Sequence, residues 1–251
     1  MKKQILFTAA VISAIIFFSC SKEKIQTQQQ IVSAEPTNTT QRINEGGQIY
    51  INPLSYKLEA WFPFNSNVKD STGHLLAGKQ VPLQRTGIRY TYDRTGKTNA
   101  ALKLDGTYYV YFTEVPQQTN TSVSVWLKRG EQYDMTEVII PGGQGPGIYQ
   151  FGNTFRGVVY TSENTPYIKS TDFNDQKWHH LVVTYDGNYD LKLYVDGALQ
   201  GTWHYTAPIN AGLYNYFVGL MSLGNWKGYV DDLRFYSRTL SASDVTALYN
   251  L

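Results

Sequence analysis

The chain has 251 residues, with 22 Lys and Arg against 20 Asp and Glu, and a single cysteine, Cys20. Charge so evenly balanced, with no basic patch or acidic run, gives no electrostatic case for nucleic acid. One cysteine leaves no internal disulfide to form. Tyrosine is frequent at 20 residues, which suits strands and would equally suit a sugar-stacking surface.

In chain order, the first element is a targeting segment. Lys2 and Lys3 form a basic start, and Ile5 to Phe18 is an apolar run too short to span a bilayer. Residues 1–19 therefore read as a signal peptide. Its end, Phe17-Phe18-Ser19-Cys20, resembles the lipobox of bacterial lipoproteins, Bacteroidetes included, with Phe17 in place of the usual Leu. That resemblance implies lipidation of Cys20 and attachment to a membrane through the lipid rather than through a span. The implied location is the outer membrane, facing the cell surface or the periplasm. Residues 20–48 are rich in Gln, Thr, Ser and Asn; they bury too little apolar surface to offset ordering and read as a tether. Residues 49–251 have the length of one domain.

Within that domain, short alternating or apolar runs are separated by Gly, Pro, Asn and Asp, the pattern of an all-β, two-sheet antiparallel sandwich. Val123, Val125 and Leu127 share one face, and Ser124, Trp126 and Lys128 the other. Pro141 to Gly147 reads as a loop. Trp178 to Gly201 reads as a meander. Leu181, Val183 and Tyr185 alternate with Val182 and Thr184, Asp186-Gly187 turns, Leu191, Leu193 and Val195 follow, and Asp196-Gly197 turns again. One helix is expected at the C-terminus: Ser241 as N-cap, Asp244 closing a capping box, Leu240 stapled to Val245, and an apolar stripe of Val245, Leu248 and Tyr249.

Five blocks in this order resemble one family. They are LEAWFPFNSNVKDSTGHLLAG (58–78), AALKLDGTYYVYF (100–112), TSVSVWLKRG (121–130), WHHLVVTYDGNYDLKLYVDG (178–197) and GYVDDLRFYSRTLSASDVTALYN (228–250). They are similar to the LamG-like jelly-roll domains of the concanavalin A-like lectin/glucanase superfamily. The resemblance implies a jelly roll with a short C-terminal helix and a carbohydrate- or protein-binding role, but no particular ligand. It also implies one structural calcium ion tying an early loop to the last strand, with Asp70 and Asp231 as its acids. The residues by themselves leave another account open, in which Asp70 shapes a turn and Asp231 pairs with an arginine or backbone donors.

Other motifs dissolve on inspection. Asp186-Gly187-Asn188-Tyr189-Asp190 opens like an EF-hand loop but has Leu191 where Gly is needed and Gly197 where Glu is needed. His179 and His180 are adjacent on a strand and point to opposite faces, so they do not share an ion. Gly219 to Gly224, around Ser222, misses the nucleophile-elbow spacing by one residue. No Glu-x-Asp pair occurs, and Asp231 and Asp232 face opposite ways unless a bulge intervenes, so the paired carboxylates of glycoside hydrolysis are not evident. The chain reads as non-catalytic, a binding module for a glycan or, alternatively, for a cell-surface protein. Trp61, Trp126 and Trp178 lie within the family blocks as scaffold. Trp203, Trp226, Tyr205 and Tyr214 lie outside the strongest block positions and are the expected ligand contacts.

Overall fold

Alternation in the sequence translates directly into two layers. Val123, Val125, Leu127, Leu181, Val183, Tyr185, Leu191, Leu193 and Val195 all enter one buried cluster between two sheets. Their alternates Val182 and Tyr194 enter a second cluster on the opposite side. A fully buried Val, Leu or Phe contributes about 1.5–3 kcal/mol, so every register in these strands is fixed by which face meets the core. A computed structural model describes residues 41–43, 49–74, 78–82, 87–130, 136–161, 167–173, 175–219 and 226–251. The signal segment, Cys20, most of the tether and Ser222 lie outside the described residues.

In chain order the strands are β1 (Gln41–Ile43), β2 (Ile49–Ile51), β3 (Leu58–Phe62), β4 (Lys79–Pro82), β5 (Arg89–Thr91), β6 (Ala101–Asp105), β7 (Tyr108–Gln117) and β8 (Thr121–Arg129). They continue as β9 (Thr136–Pro141), β10 (Gly145–Phe151), β11 (Thr154–Tyr160), β12 (Tyr167–Lys169), β13 (Trp178–Tyr185), β14 (Asp190–Val195), β15 (Ala198–His204), β16 (Gly212–Val218) and β17 (Lys227–Tyr236). Helix α1 (Ala242–Tyr249) closes the chain. One sheet runs β12-β11-β10-β9-β16-β7-β4; the other runs β15-β14-β13-β8-β17-β6-β5, with β3 added beside β17. Each strand pair described is antiparallel. The fold is the expected jelly-roll sandwich.

The turns behave as their residues require. Asp196 (φ 50°) and Gly197 (φ 80°) supply the two left-handed positions of the β14–β15 hairpin. Asp186 caps the β13–β14 turn by accepting from the backbone N–H groups of Asn188 and Asp190, which accounts for the EF-hand-like spelling without an ion. At the C-terminus, Ser241 caps α1 and Asp244 completes the box. The helix covers the second cluster, where Leu240, Val245 and Leu248 pack on Val182, Tyr194 and Tyr236.

One expectation is corrected. Residues 145–147 belong to strand β10 and pair with β11. Gly147 is needed there because a Cβ would lie 2.9 Å from the carbonyl oxygen of Ile139, so the glycines mark close backbone approach rather than a loop. The segment read as a tether also contains β1, which pairs with β2.

Candidate functional site

The sheet led by β12 carries a row of side chains on the face turned away from the core. Cross-strand register sets Glu137 on β9 opposite Tyr149 on β10. Tyr149 lies opposite Arg156 on β11, and Arg156 opposite Lys169 on β12. Flanking partners in the strands (Phe155, Val159 and Ile168) belong to the core, so this rung faces outward by alternation. Phe151, Tyr160 and Tyr167 stand around it on the same face. The Arg156 guanidinium carbon lies 4.0 Å from the ring centre of Phe151 and 4.0 Å from that of Tyr167, one ring from each neighbouring strand. Tyr149 and Tyr160 are 6.2 Å apart between ring centres. Further along the sheet, Phe217 of β16 is 6.1 Å from both Tyr109 and Tyr111 of β7.

The result is a strip of partly exposed aromatic rings interleaved with charged groups. Phe151 is 42% and Tyr167 45% exposed. Burial of Tyr149, helped by nearby Glu137, pushes its hydroxyl up to about 12, so it is a neutral hydrogen-bonding group at physiological pH. Among the described residues, Arg156 Nε and the Tyr160 hydroxyl are buried with no hydrogen-bond partner. Rings of this kind stack against apolar C–H faces, and the polar tips orient what is stacked. None of these residues carries a motif. The signal in the sequence is the strict alternation of Tyr149 and Phe151 with Arg156, Val158 and Tyr160 across one hairpin, legible only once the inward face is known.

The four aromatic residues expected from the sequence are scattered. Trp203 is 48% exposed on edge strand β15 and remains accessible. Tyr214 is half-buried, packed against the main core, with its hydroxyl donating to the Asn210 carbonyl. Tyr205 is 3% exposed; its hydroxyl donates to the Val159 carbonyl and accepts from the Val159 N–H, tying one sheet to the other. Trp226 is fully buried, its indole N–H donating to Gln150 Oε1 at 2.7 Å. A ring with no exposed face has none to offer a ligand, so Trp226 and Tyr205 are core residues. A place outside the strongest family blocks, the ground for expecting Trp226 and Tyr205 at a ligand, says nothing about which way a side chain turns.

The two acids expected at a calcium ion each have protein partners of their own. Asp70 Oδ1 accepts from the backbone N–H groups of Trp61 and Thr72, both at 2.9 Å. Its Oδ2 accepts from the Thr72 hydroxyl and from His74 N–H. Asp231 is bound to Arg94 at 2.6 Å. Asp70 thus shapes its own turn, and an arginine supplies the positive charge that Asp231 needs.

A bulge in β17 explains that arrangement. The ladder with β8 shifts between Asp231 and Arg234, and Asp232 has φ 55°. Val230 before the bulge and Leu233 and Phe235 after it all reach the core, while Asp231 pairs with Trp126 on the outer face. Both acids consequently reach Arg94, Asp232 at 3.1 Å. Asp232 also binds Arg234 and the Trp61 indole N–H. Burial pushes Asp231 up to about 7 against the pull of Arg94. A cavity of about 170 Å³ opens beside this knot, lined by Trp61, Asp93, Arg94, Lys97 and both acids among others.

A two-sheet antiparallel jelly roll of this kind belongs to the class of lectin-like β-sandwiches. Residues 104–246 match the Laminin_G_3 family of the Concanavalin A-like lectin/glucanases superfamily, and the chain belongs to that family. No curated protein matches its sequence. Among solved structures it is similar to domain 4 of AbnA, a GH43 extracellular arabinanase from Geobacillus stearothermophilus, in complex with arabinotriose. That likeness has 22% identity and a TM-score of 0.64, covering 77% of this chain and 98% of that one. It is also similar to the receptor-binding domain of botulinum neurotoxin mosaic serotype C/D, at 14% identity and a TM-score of 0.62, covering 77% of this chain and 50% of that one. The binding domain of botulinum neurotoxin DC in complex with rat synaptotagmin II has 14% identity and a TM-score of 0.60, with 77% and 51% covered. These likenesses are of fold.

Proposed function

We propose that this protein is a non-catalytic glycan-binding module, held at the outer membrane by lipid on Cys20 and presented to the cell surface or the periplasm. The observation that carries the reading is the aromatic strip on the outer face of the β12–β4 sheet, with Tyr149, Tyr160 and Phe217 among its rings. The arabinotriose complex of the similar arabinanase domain supports a sugar as ligand. The engagement of Asp231 and Asp232 by arginines supports a structural rather than catalytic use of the one adjacent acid pair on β17.

Affinity electrophoresis of the full chain through gels carrying individual polysaccharides tests the reading. At least one polymer should retard the protein, and Phe217→Ala should weaken that retardation while the circular dichroism stays unchanged. Absence of retardation by any polymer, with capture of a protein ligand instead, would move the function to the adhesion alternative. Radiolabelled palmitate incorporation that survives Cys20→Ala would sink the anchor.

A further inference from the structure

Arg156 has an unusual setting for an outward-facing cation. Its guanidinium carbon is at contact distance, 4.0 Å, from two rings, and β11 lies between the strands that carry them. Arginine stacks in this way because its guanidinium is planar and weakly hydrated. Among the described residues the Arg156 Nε is buried without a hydrogen-bond partner. Fixed ring contacts remove most of the rotamer freedom that an arginine ordinarily loses on binding. They also leave the edge of the guanidinium, not its faces, for hydrogen bonding. Lys169 lies directly across the ladder from it, with a side chain 56% exposed and a loose 3.6 Å pairing to Asp172.

We infer that Arg156 is the carboxylate-recognition point of the aromatic strip, so that the ligand is an acidic glycan carrying uronic acid residues. The inference rests on the glycan-binding reading and narrows it. A carboxylate is planar and matches the two-pronged edge of a guanidinium. With a ring 4.0 Å from the guanidinium carbon on each flanking strand, the crowded approach favours a planar carboxylate over a bulkier tetrahedral sulfate. Lys169 adds a second positive charge for the neighbouring residue of a polyanion. The exposed parts of Phe151 and Tyr167 are left to stack on the sugar ring itself.

The test compares polygalacturonate, alginate and hyaluronan with their carboxyl-reduced, uncharged counterparts and with dextran sulfate, using the full chain. At least one polyuronate should bind at least about tenfold more tightly than its reduced form, as one charge-assisted pairing implies. Arg156→Gln should erase that preference, bringing the affinity for the polyuronate down to that for its reduced form, and Arg156→Lys should restore little of it. Tyr167→Ala should weaken polyuronate binding too, through a residue that carries no charge. Equal affinity for charged and reduced polymers, equal affinity for dextran sulfate, or an unaltered preference in Arg156→Gln would overturn the uronate assignment and leave glycan binding standing. Binding to none of the polymers, neutral ones included, would overturn both.

Discussion

Asp231 and Asp232 are neighbours in sequence, yet both carboxylates hold the same guanidinium, that of Arg94, at 2.6 and 3.1 Å. A regular strand would send them to opposite faces; the left-handed turn of Asp232 brings them together. Arg94 also lies 5.0 Å from the Trp126 ring. Removing it leaves the buried Asp231 without its cation, while Asp232 keeps Arg234 and the Trp61 indole; a loss of about 3–5 kcal/mol is typical of such a break. We expect Arg94→Met to lower the urea midpoint accordingly. Adding Asp231→Asn to Arg94→Met should return part of that loss, because a neutral amide tolerates burial better than an unpaired carboxylate. Strictly additive losses across the double-mutant cycle would contradict the pairing.

That knot also marks where sequence reading stops. Period-two alternation gave the faces of β8, β13 and β14 because the core enforces it residue by residue, and the α1 cap was legible because Ser241 and Asp244 interact only three residues apart. Arg94 lies 137 residues from Asp231, and no local pattern announces such a partner. The bulge is likewise silent, since Val-Asp-Asp-Leu spells an ordinary strand. Trp226 misleads for a related reason: it packs in the core, and the acceptor of its indole N–H is Gln150, 76 residues away. The aromatic strip is assembled from β7, β9, β10, β11, β12 and β16, and only the strand order places those residues side by side.

His179 and His180 should give stability opposite pH dependences. His180 is 1% exposed, its Nε2 2.8 Å from the Ser124 hydroxyl and its ring 5.2 Å from Trp126. Burial, then repulsion from Arg234, lowers it to about 3. From the ordinary histidine value of 6.5 down to about 3, the unfolded chain binds the extra proton, so stability falls as pH falls through that window. For His179, burial acts downward, but hydrogen bonds to Asp196 and Asp175 outweigh it and raise the pKa above 6.5. Its contribution is fully present below 6.5 and is lost as pH rises through the raised value. Urea unfolding from pH 4 to 8 should show His180→Gln flattening the acid limb and His179→Gln flattening the limb above 6.5. Each slope is bounded by ~1.4 kcal/mol per pH unit for a single proton. The reverse assignment of the two limbs would show that the faces are misread.

Trp226 and Trp203 should separate cleanly under substitution. Trp226 fills fully buried space and satisfies Gln150, so Trp226→Ala leaves both a cavity and a buried amide oxygen without its donor. A loss of about 3–5 kcal/mol is expected from the cavity alone, with ligand affinity per folded molecule unchanged. Trp203 is 48% exposed on an edge strand, and Trp203→Ala should cost well under about 1 kcal/mol. Thermal denaturation of the two variants side by side checks this. A stability loss at Trp203 equal to that at Trp226 would refute the assignment of one to the core and the other to the surface.

Tyr149 offers the sharpest separation of stacking from hydrogen bonding on the aromatic strip. It stands between Glu137 and Arg156 in the cross-strand rung, and its ring lies 6.2 Å from that of Tyr160. With a hydroxyl titrating near 12, it remains protonated and uncharged across the physiological range, so ligand affinity should show no ionisation step from Tyr149 between pH 6 and 9. Tyr149→Phe keeps the apolar face that a sugar ring covers and loses only the polar tip, for which about 0.5–1.5 kcal/mol is the usual contribution. Tyr149→Ala removes the platform as well and should weaken retardation in polysaccharide gels by at least about tenfold, near the upper end of what one aromatic contact contributes. If the Phe and Ala variants bind equally weakly, the hydroxyl rather than the ring face is the contact. If both bind like the parent protein, the ligand lies elsewhere, and the exposed Trp203 edge becomes the next surface to test.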